Sequence, residues 1–241
     1  PARRTGASRG SARITNPEAW SPPLSAVLRL ARTIDRVGVK VAPGIAHDLI
    51  PADWHAQWVS VGGSLVEASL WSPALAPEGR GRSCLLLDEA GAAHSLASPC
   101  GEAANAPAER VEVAPLGAII AEADPAVIRS GLLARLAQRV GAGIVSDKIA
   151  YLTGDDVPDS PFYDRFEVLE VTNLRPKAIA AALRSRDAGA VEIKKRGADI
   201  NPEDLRQSLK LRGGTKDLTV IATRLEGRHR AIICRRLPAN L

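Results

Sequence analysis

The sequence predicts an α/β protein, and three observations carry that reading. Short runs rich in Val, Ile and Leu alternate with stretches whose apolar residues recur every three or four positions, the rhythm of strands exchanging with helices. Pro and Gly fall between these runs and at their ends, so the elements are short and well punctuated. Of the 241 residues, 45% are hydrophobic and 24% charged, a globular balance, while aromatics reach only 3%. The cores are therefore expected to be built from Ala, Val, Ile and Leu.

Residues 1–20 are rich in Arg, Gly and Ser and read as a loop. Ser21 suits a helix N-cap and Pro22 the first helical position. Leu24, Val27, Leu28, Ala31 and Ile34 then share one face, with Arg29, Arg32 and Arg36 outside it. Residues 37–41 form a short apolar strand closed by Pro43-Gly44. A helix feeding such a strand implies a parallel sheet. Residues 58–61 and 64–71 flank Gly62-Gly63 and predict a hairpin; residues 84–87 and 92–96 predict another. The first region, 1–96, is thus a parallel sheet finished by antiparallel strands.

Residues 97–110, rich in Ala, Ser, Pro and Gly without periodicity, predict a linker. Beyond it, Asp124 and Pro125 open one helix carrying Ile128, Leu132, Leu136 and Val140, and residues 144–145 and 149–152 read as strands. This stretch, 111–161, is expected to be a small ferredoxin-like region. The last unit, 162–237, runs strand (166–171), helix (176–186), strand (191–195), helix (202–211) and two strands (218–223 and 230–234), a βαβαββ order. Its second helix has Asn201 as cap, Pro202 behind it, Glu203 and Asp204 in the first turn and Gly213 as stop.

Charge is unevenly spread. Residues 1–36 hold seven Lys/Arg against two Asp/Glu, and residues 193–236 hold twelve against five. With the chain at +5 overall, the stretch between is left at −7. Basic ends around an acidic middle point to a polyanionic partner, nucleic acid before a membrane surface. Cys84, Cys100 and Cys234 are too widely spaced for a zinc ribbon or a disulfide framework, and read as reduced thiols of a cytoplasmic protein. No apolar run reaches the roughly 20 residues of a membrane span. The four histidines have no metal-ligand spacing, so no metal is expected. Gly141-Ala142-Gly143 is too short for a dinucleotide fingerprint, and Asp53 with His55 reads as structural rather than catalytic. A chain that opens on Pro1 and contains no Met is expected to be part of a longer product.

Several segments in collinear order carry a family likeness. They are Pro1-Ala2-Arg3-Arg4, Trp20-Ser21-Pro22-Pro23-Leu24, Val39-Lys40-Val41-Ala42-Pro43-Gly44-Ile45, residues 57–60 and 66–71, Asp124-Pro125-Ala126-Val127-Ile128-Arg129 and residues 149–153. Together they resemble the later half of a bacterial class I S-adenosylmethionine-dependent methyltransferase. The tail, 166–236 with 191–197 at its centre, is similar to the THUMP-like domain such enzymes carry at the C-terminus. The resemblance implies the C-terminal part of a Rossmann-like methyltransferase sheet, the ferredoxin-like link and an α+β THUMP-like domain. It also implies that Pro1, Ala2, Arg3 and Arg4 belong to the acceptor loop beside the cofactor, with that loop's Asp just upstream. The S-adenosylmethionine-binding glycine loop and its ribose-binding acid would lie further upstream, so this portion alone is expected to be inactive. The loop lacks the aromatic residue of amino-group methyltransferases. THUMP domains are generally RNA-binding, which makes Lys194, Lys195, Arg196, Arg206, Lys210, Arg212, Arg228 and Arg230 candidate phosphate contacts on tRNA or rRNA. The alternative reading is a non-catalytic RNA-binding module or interaction scaffold.

Overall fold

A computed structural model describes residues 16–239. The chain folds as two compact units. Of the described residues, one unit comprises 16–109 together with Asp124–Leu136; the other comprises Arg110–Ala123 together with 137–239. This division differs from the sequence-based one, because a segment on each side of position 124 crosses into the other unit's fold.

The first unit begins with a 3-10 turn, Pro17–Ala19, and helix α1, Leu24–Leu30. Ser21-Pro22 is a cis peptide, and Pro23 takes the N-cap, so the helix starts later than Ser21 and Pro22 suggest. Leu24 is its buried anchor, while Leu30 and Ile34 are exposed. The strands are β1 Gly38–Val41, β2 His55–Val61, β3 Ser64–Trp71, β4 Gly81–Leu87 and β5 Ala93–Ala97. They form one sheet in the order β1-β3-β2-β4-β5.

Both predicted hairpins are present, β2 with β3 and β4 with β5. Gly62 and Gly63 turn the first with φ of 52° and 73°, the doubly positive combination that follows the twist of the flanking strands. The parallel pairing falls elsewhere than expected. β1 lies antiparallel beside β3, and it is β2 and β4 that pair in parallel, His55 opposite Gly81. The connection from β1 to β2 contains only the single 3-10 turn His47–Leu49, too short to serve as a crossover helix, and β3 inserts between the two strands.

The predicted linker is not loose. Arg82 of β4 is 2% exposed, and its guanidinium donates to the carbonyls of Ala104 (3.3 Å) and Ala106 and to the Glu102 carboxylate (3.0 Å). Ala104 is completely buried beneath this clamp. The single helix expected from Asp124 is two helices, α2 Pro125–Arg129 and α3 Leu133–Val140. Asp124 caps α2 through the Ala126 amide (2.7 Å) as expected. Gly131 then adopts φ 75° and breaks the helix; a Cβ there would come within 2.9 Å of the His47 ring and 3.1 Å of the Ala108 methyl.

The second unit holds β6 Ile119–Ala123, β7 Gly143–Ser146, β8 Ile149–Gly154, β9 Tyr163–Asn173, β10 Ala188–Arg196, β11 Lys216–Leu225 and β12 Arg228–Arg236, with helices α4 Pro176–Arg184 and α5 Pro202–Leu209. From β9 to β12 the order is the predicted βαβαββ. Residues 111–161, read from sequence as a link, supply β6, β7 and β8 to the same sheet, whose order is β10-β11-β12-β9-β6-β8-β7. Of the neighbouring strands in this order, only β10 and β11 pair in parallel. Asn201 caps α5 through the Glu203 amide (2.9 Å), but Lys210, in the left-handed conformation at φ 45°, ends it before Gly213.

Both faces of this sheet are buried over much of its area. Leu218 and Val220 of β11 and Ala231 and Ile233 of β12 pack with Ile179 and Leu183 of α4 and Leu205 and Leu209 of α5. Their alternate neighbours Ile221, Ile232 and Cys234 pack on the other face with Ile120, Val145, Ile149, Tyr151 and Phe166. That two-sided burial explains why β11 and β12 are almost continuously apolar.

Candidate nucleic-acid interface

The second unit places the predicted cations in three different situations. Alternation along β10 separates Lys194-Lys195-Arg196, because successive strand residues face opposite sides. Lys194 and Arg196 turn to the face bearing Tyr151 and Phe166. There Lys194 pairs with Glu122 (2.7 Å) and Glu192 (3.2 Å), and Arg196 approaches Glu122 (3.6 Å) while its guanidinium lies 5.3 Å from the Tyr151 ring centre. Arg236 joins Glu192 (3.0 Å) and Asp164 (2.7 Å), 4.8 Å from the Phe166 ring centre. This is an internally compensated ion cluster over an apolar floor. Burial works against the Lys194 charge, but the hydrogen bond to Glu122 and the charges of Glu122 and Glu192 outweigh it and raise its pKa.

Lys195 is different. It is exposed, and its ammonium donates to the Ile200 carbonyl (2.6 Å) at the loop entering α5. Arg196 lies opposite Thr223, Leu225 opposite Arg228, and Arg230 opposite Asn173, so the ends of β9, β10 and β11 and the start of β12 share one end of the sheet. Lys195, Arg228 and Arg230 are at this end. Arg230 reaches the side-chain oxygen of Asn173. Lys210 and Arg212 precede β11, whose Lys216 lies opposite Ala188, and so belong to the opposite end. Arg206 sits on α5 and is engaged by the Val191 carbonyl and Glu203. The eight candidates are therefore not one surface.

Three further residues, outside the eight candidates, join the first end: Arg175 before α4, and Arg224 and His229 on the β11–β12 hairpin. The run 194–196 is a signal of sequence adjacency, whereas the residues gathered at this end are cations at strand and helix boundaries. A cleft of about 460 Å³ opens here, lined by Asn173, Leu174, Arg175, Asp199, Ile200 and His229. It lies between the β9–α4 loop, the β10–α5 loop and β12.

Pro1, Ala2, Arg3 and Arg4 lie outside the described residues. In the first unit His55 is 4% exposed, with Nδ1 donating to the Gly79 carbonyl (2.9 Å) and Nε2 bonded to the Ser83 hydroxyl (2.8 Å). Both ring nitrogens are spent on fixing the sheet. Burial pushes the Cys84 thiol up to about 12 and raises Cys234 as well, so neither is a thiolate nucleophile at neutral pH. Among the described residues no group of His, Cys, Asp and Glu is placed to hold a metal ion, and no helix is long and apolar enough to cross a membrane.

Residues 164–236 match the family model of the THUMP domain-like family. Two curated relatives, from two strains of Mycobacterium tuberculosis and named S-adenosylmethionine-dependent methyltransferases, are each 34% identical over 210 residues, covering 86% of this chain and 54% of theirs. The chain thus spans about half the length of the curated relatives it matches. A crystal structure from Porphyromonas gingivalis described as a methyltransferase superposes with a TM-score of 0.65 at 15% identity, covering 87% of this chain and 54% of that one. Residues 164–236 are accordingly similar to the THUMP domain-like family, and the chain as a whole is similar to about half the length of proteins named S-adenosylmethionine-dependent methyltransferases.

Proposed function

We propose that this chain is the C-terminal portion of a cytoplasmic S-adenosylmethionine-dependent RNA methyltransferase, whose THUMP-like domain docks a folded tRNA or rRNA. The observation that carries the reading is the gathering of Arg175, Lys195, Arg224, Arg228, His229 and Arg230 at one end of the THUMP-like sheet, around a cleft. Phosphate contacts from such an end position an RNA by its backbone, and the scarcity of aromatics fits recognition of shape. The three unpaired thiols support a cytoplasmic setting.

The first unit, as described, does not itself fit the cofactor. Gly62-Gly63 and Gly91 serve hairpin turns rather than a strand-to-helix loop able to cradle S-adenosylmethionine. We assign cofactor binding to the part of the full-length relatives that this chain does not span, and retain Pro1, Ala2, Arg3 and Arg4 as the acceptor loop.

Docking is tested by anisotropy of a labelled folded RNA across a salt series. Replacing Lys195, Arg228 and Arg230 together by Ala should lower the slope of log K against log salt by about 0.7–0.9 for each phosphate that is no longer neutralised. Lys194→Ala should leave the slope unchanged, because Lys194 is committed to Glu122 and Glu192. An unchanged slope in the triple variant overturns the docking assignment. Catalysis is tested separately by incubating the full-length protein with methyl-labelled S-adenosylmethionine and total RNA. Label should enter RNA; absence of transfer would leave only an RNA-binding module.

A further inference from the structure

Resting on the RNA-docking reading above, we infer that the cleft between the β9–α4 and β10–α5 loops receives a single unpaired nucleotide of the bound RNA. Its volume of about 460 Å³ is within the range of small-ligand sites and suits one nucleotide, not a duplex. Its lining supplies each type of contact that a nucleotide requires. Leu174 and Ile200 are apolar side chains whose inner parts belong to the helix-side core, which holds them in place as a floor. His229 supplies the one ring in the lining, a surface on which a base can stack.

The polar groups are chemically graded. Asp199 offers only acceptors, which match the exocyclic amino group of adenine, cytosine or guanine. Arg175 offers a forked donor suited to phosphate. The walls are braced: Lys195 ties the β10–α5 loop through the Ile200 carbonyl, and Arg230 ties β12 to Asn173. A cleft meant only for backbone docking needs neither the apolar floor nor the carboxylate. Asp199 would in fact repel a phosphate seated beside it, so the base belongs at Asp199 and the phosphate at Arg175.

The test compares two fluorescent RNA hairpins of identical stem and loop, one fully paired and one with a single bulged adenosine, binding to the 241-residue chain. The bulged hairpin should bind at least about fivefold more tightly, the scale of one base stacked on a ring. Asp199→Asn should remove most of that preference while leaving the paired hairpin's affinity unchanged, and His229→Ala should weaken binding of the bulged hairpin by more than that of the paired one, so that the preference again largely disappears. Both side chains are exposed, so the variants should fold, which circular dichroism checks. Equal affinity for the two hairpins would overturn the nucleotide cleft and leave RNA docking intact. A preference that survives both substitutions would place the unpaired base elsewhere and likewise overturn it. Failure to bind either hairpin would remove the docking reading and this inference with it.

Discussion

Glu192 shows how far a residue's role departs from its position in a charge run. It lies on β10 between buried Val191 and Ile193, and its carboxylate meets Lys194 (3.2 Å) and Arg236 (3.0 Å). Burial acts to raise its pKa, but the hydrogen bond from Arg236 and the Lys194 charge outweigh it, and the net shift is downward. A depressed carboxylate adds stability that is complete above its ordinary value near 4.5 and is lost as pH falls through the folded value. Lys194, raised above 10.5, adds stability that is complete below that value and is lost as pH rises through the folded one. Glu192 and Lys194 together therefore stabilise a broad neutral plateau. Glu192→Gln should lower the melting temperature at about pH 6, and the gap from the parent should close towards about pH 3. Thermal melts at the two pH values check this; a gap of equal size at both would mean that Glu192 is not held as a carboxylate.

Elements whose signals are local were legible in the sequence, and elements that depend on distant partners were not. Asn201 with Pro202, Asp124 with Pro125, and Gly62-Gly63 each mark an element by chemistry within a few residues, and each stands where expected. Nothing near β2 announces that β4 will pair with it in parallel, and nothing near Lys194 announces Glu122, which is 72 positions earlier on β6. The candidate interface was half legible for the same reason. Lys195, Arg228 and Arg230 were found as cations, but their gathering with Arg175 and His229 depends on strand pairing.

The start of β10 is a further feature the sequence hides. The register shifts between Ala188 and Val191, and Gly189 passes so near Gly214 that a Cβ there would come within 2.2 Å of the Gly214 carbonyl oxygen. The obstacle is backbone, so no rotamer change relieves it, and the β10 start must move away from the turn before β11. Gly189→Ala should cost about 1–3 kcal/mol, the range of overpacking. Gly44→Ala, with nothing within 4 Å of its Cβ position, should change stability by less than about 0.5 kcal/mol. Urea midpoints followed by circular dichroism check both; a neutral Gly189→Ala would mean that the two loops separate freely.

At the scale of the whole chain, the decisive fact is that sequence domains and folded units have different boundaries. The family match begins at residue 164, and the sequence places a domain start at 162, yet the sheet of that domain continues through β6, β8 and β7. A protein cut at 162 keeps α4, α5 and the core beneath them. It loses Ile120, Val145, Ile149 and Tyr151, and so uncovers Phe166, Ile221, Ile232 and Cys234 on the other face. It also loses Glu122, leaving Lys194 and Arg196 without the carboxylate they share. Exposed apolar strand faces of this kind favour association over folding. Residues 162–241 expressed alone should therefore aggregate or melt broadly. Residues 110–241, with 124–136 replaced by a Gly/Ser segment of equal length, should give a soluble domain with a cooperative melt, because that segment belongs to the first unit. Light scattering and calorimetry of the two proteins distinguish the cases. A cooperative, monomeric 162–241 would show that the βαβαββ core is self-sufficient and that β6–β8 are an accessory to it; a replacement protein that fails to fold would show that 124–136 is needed by the second unit as well.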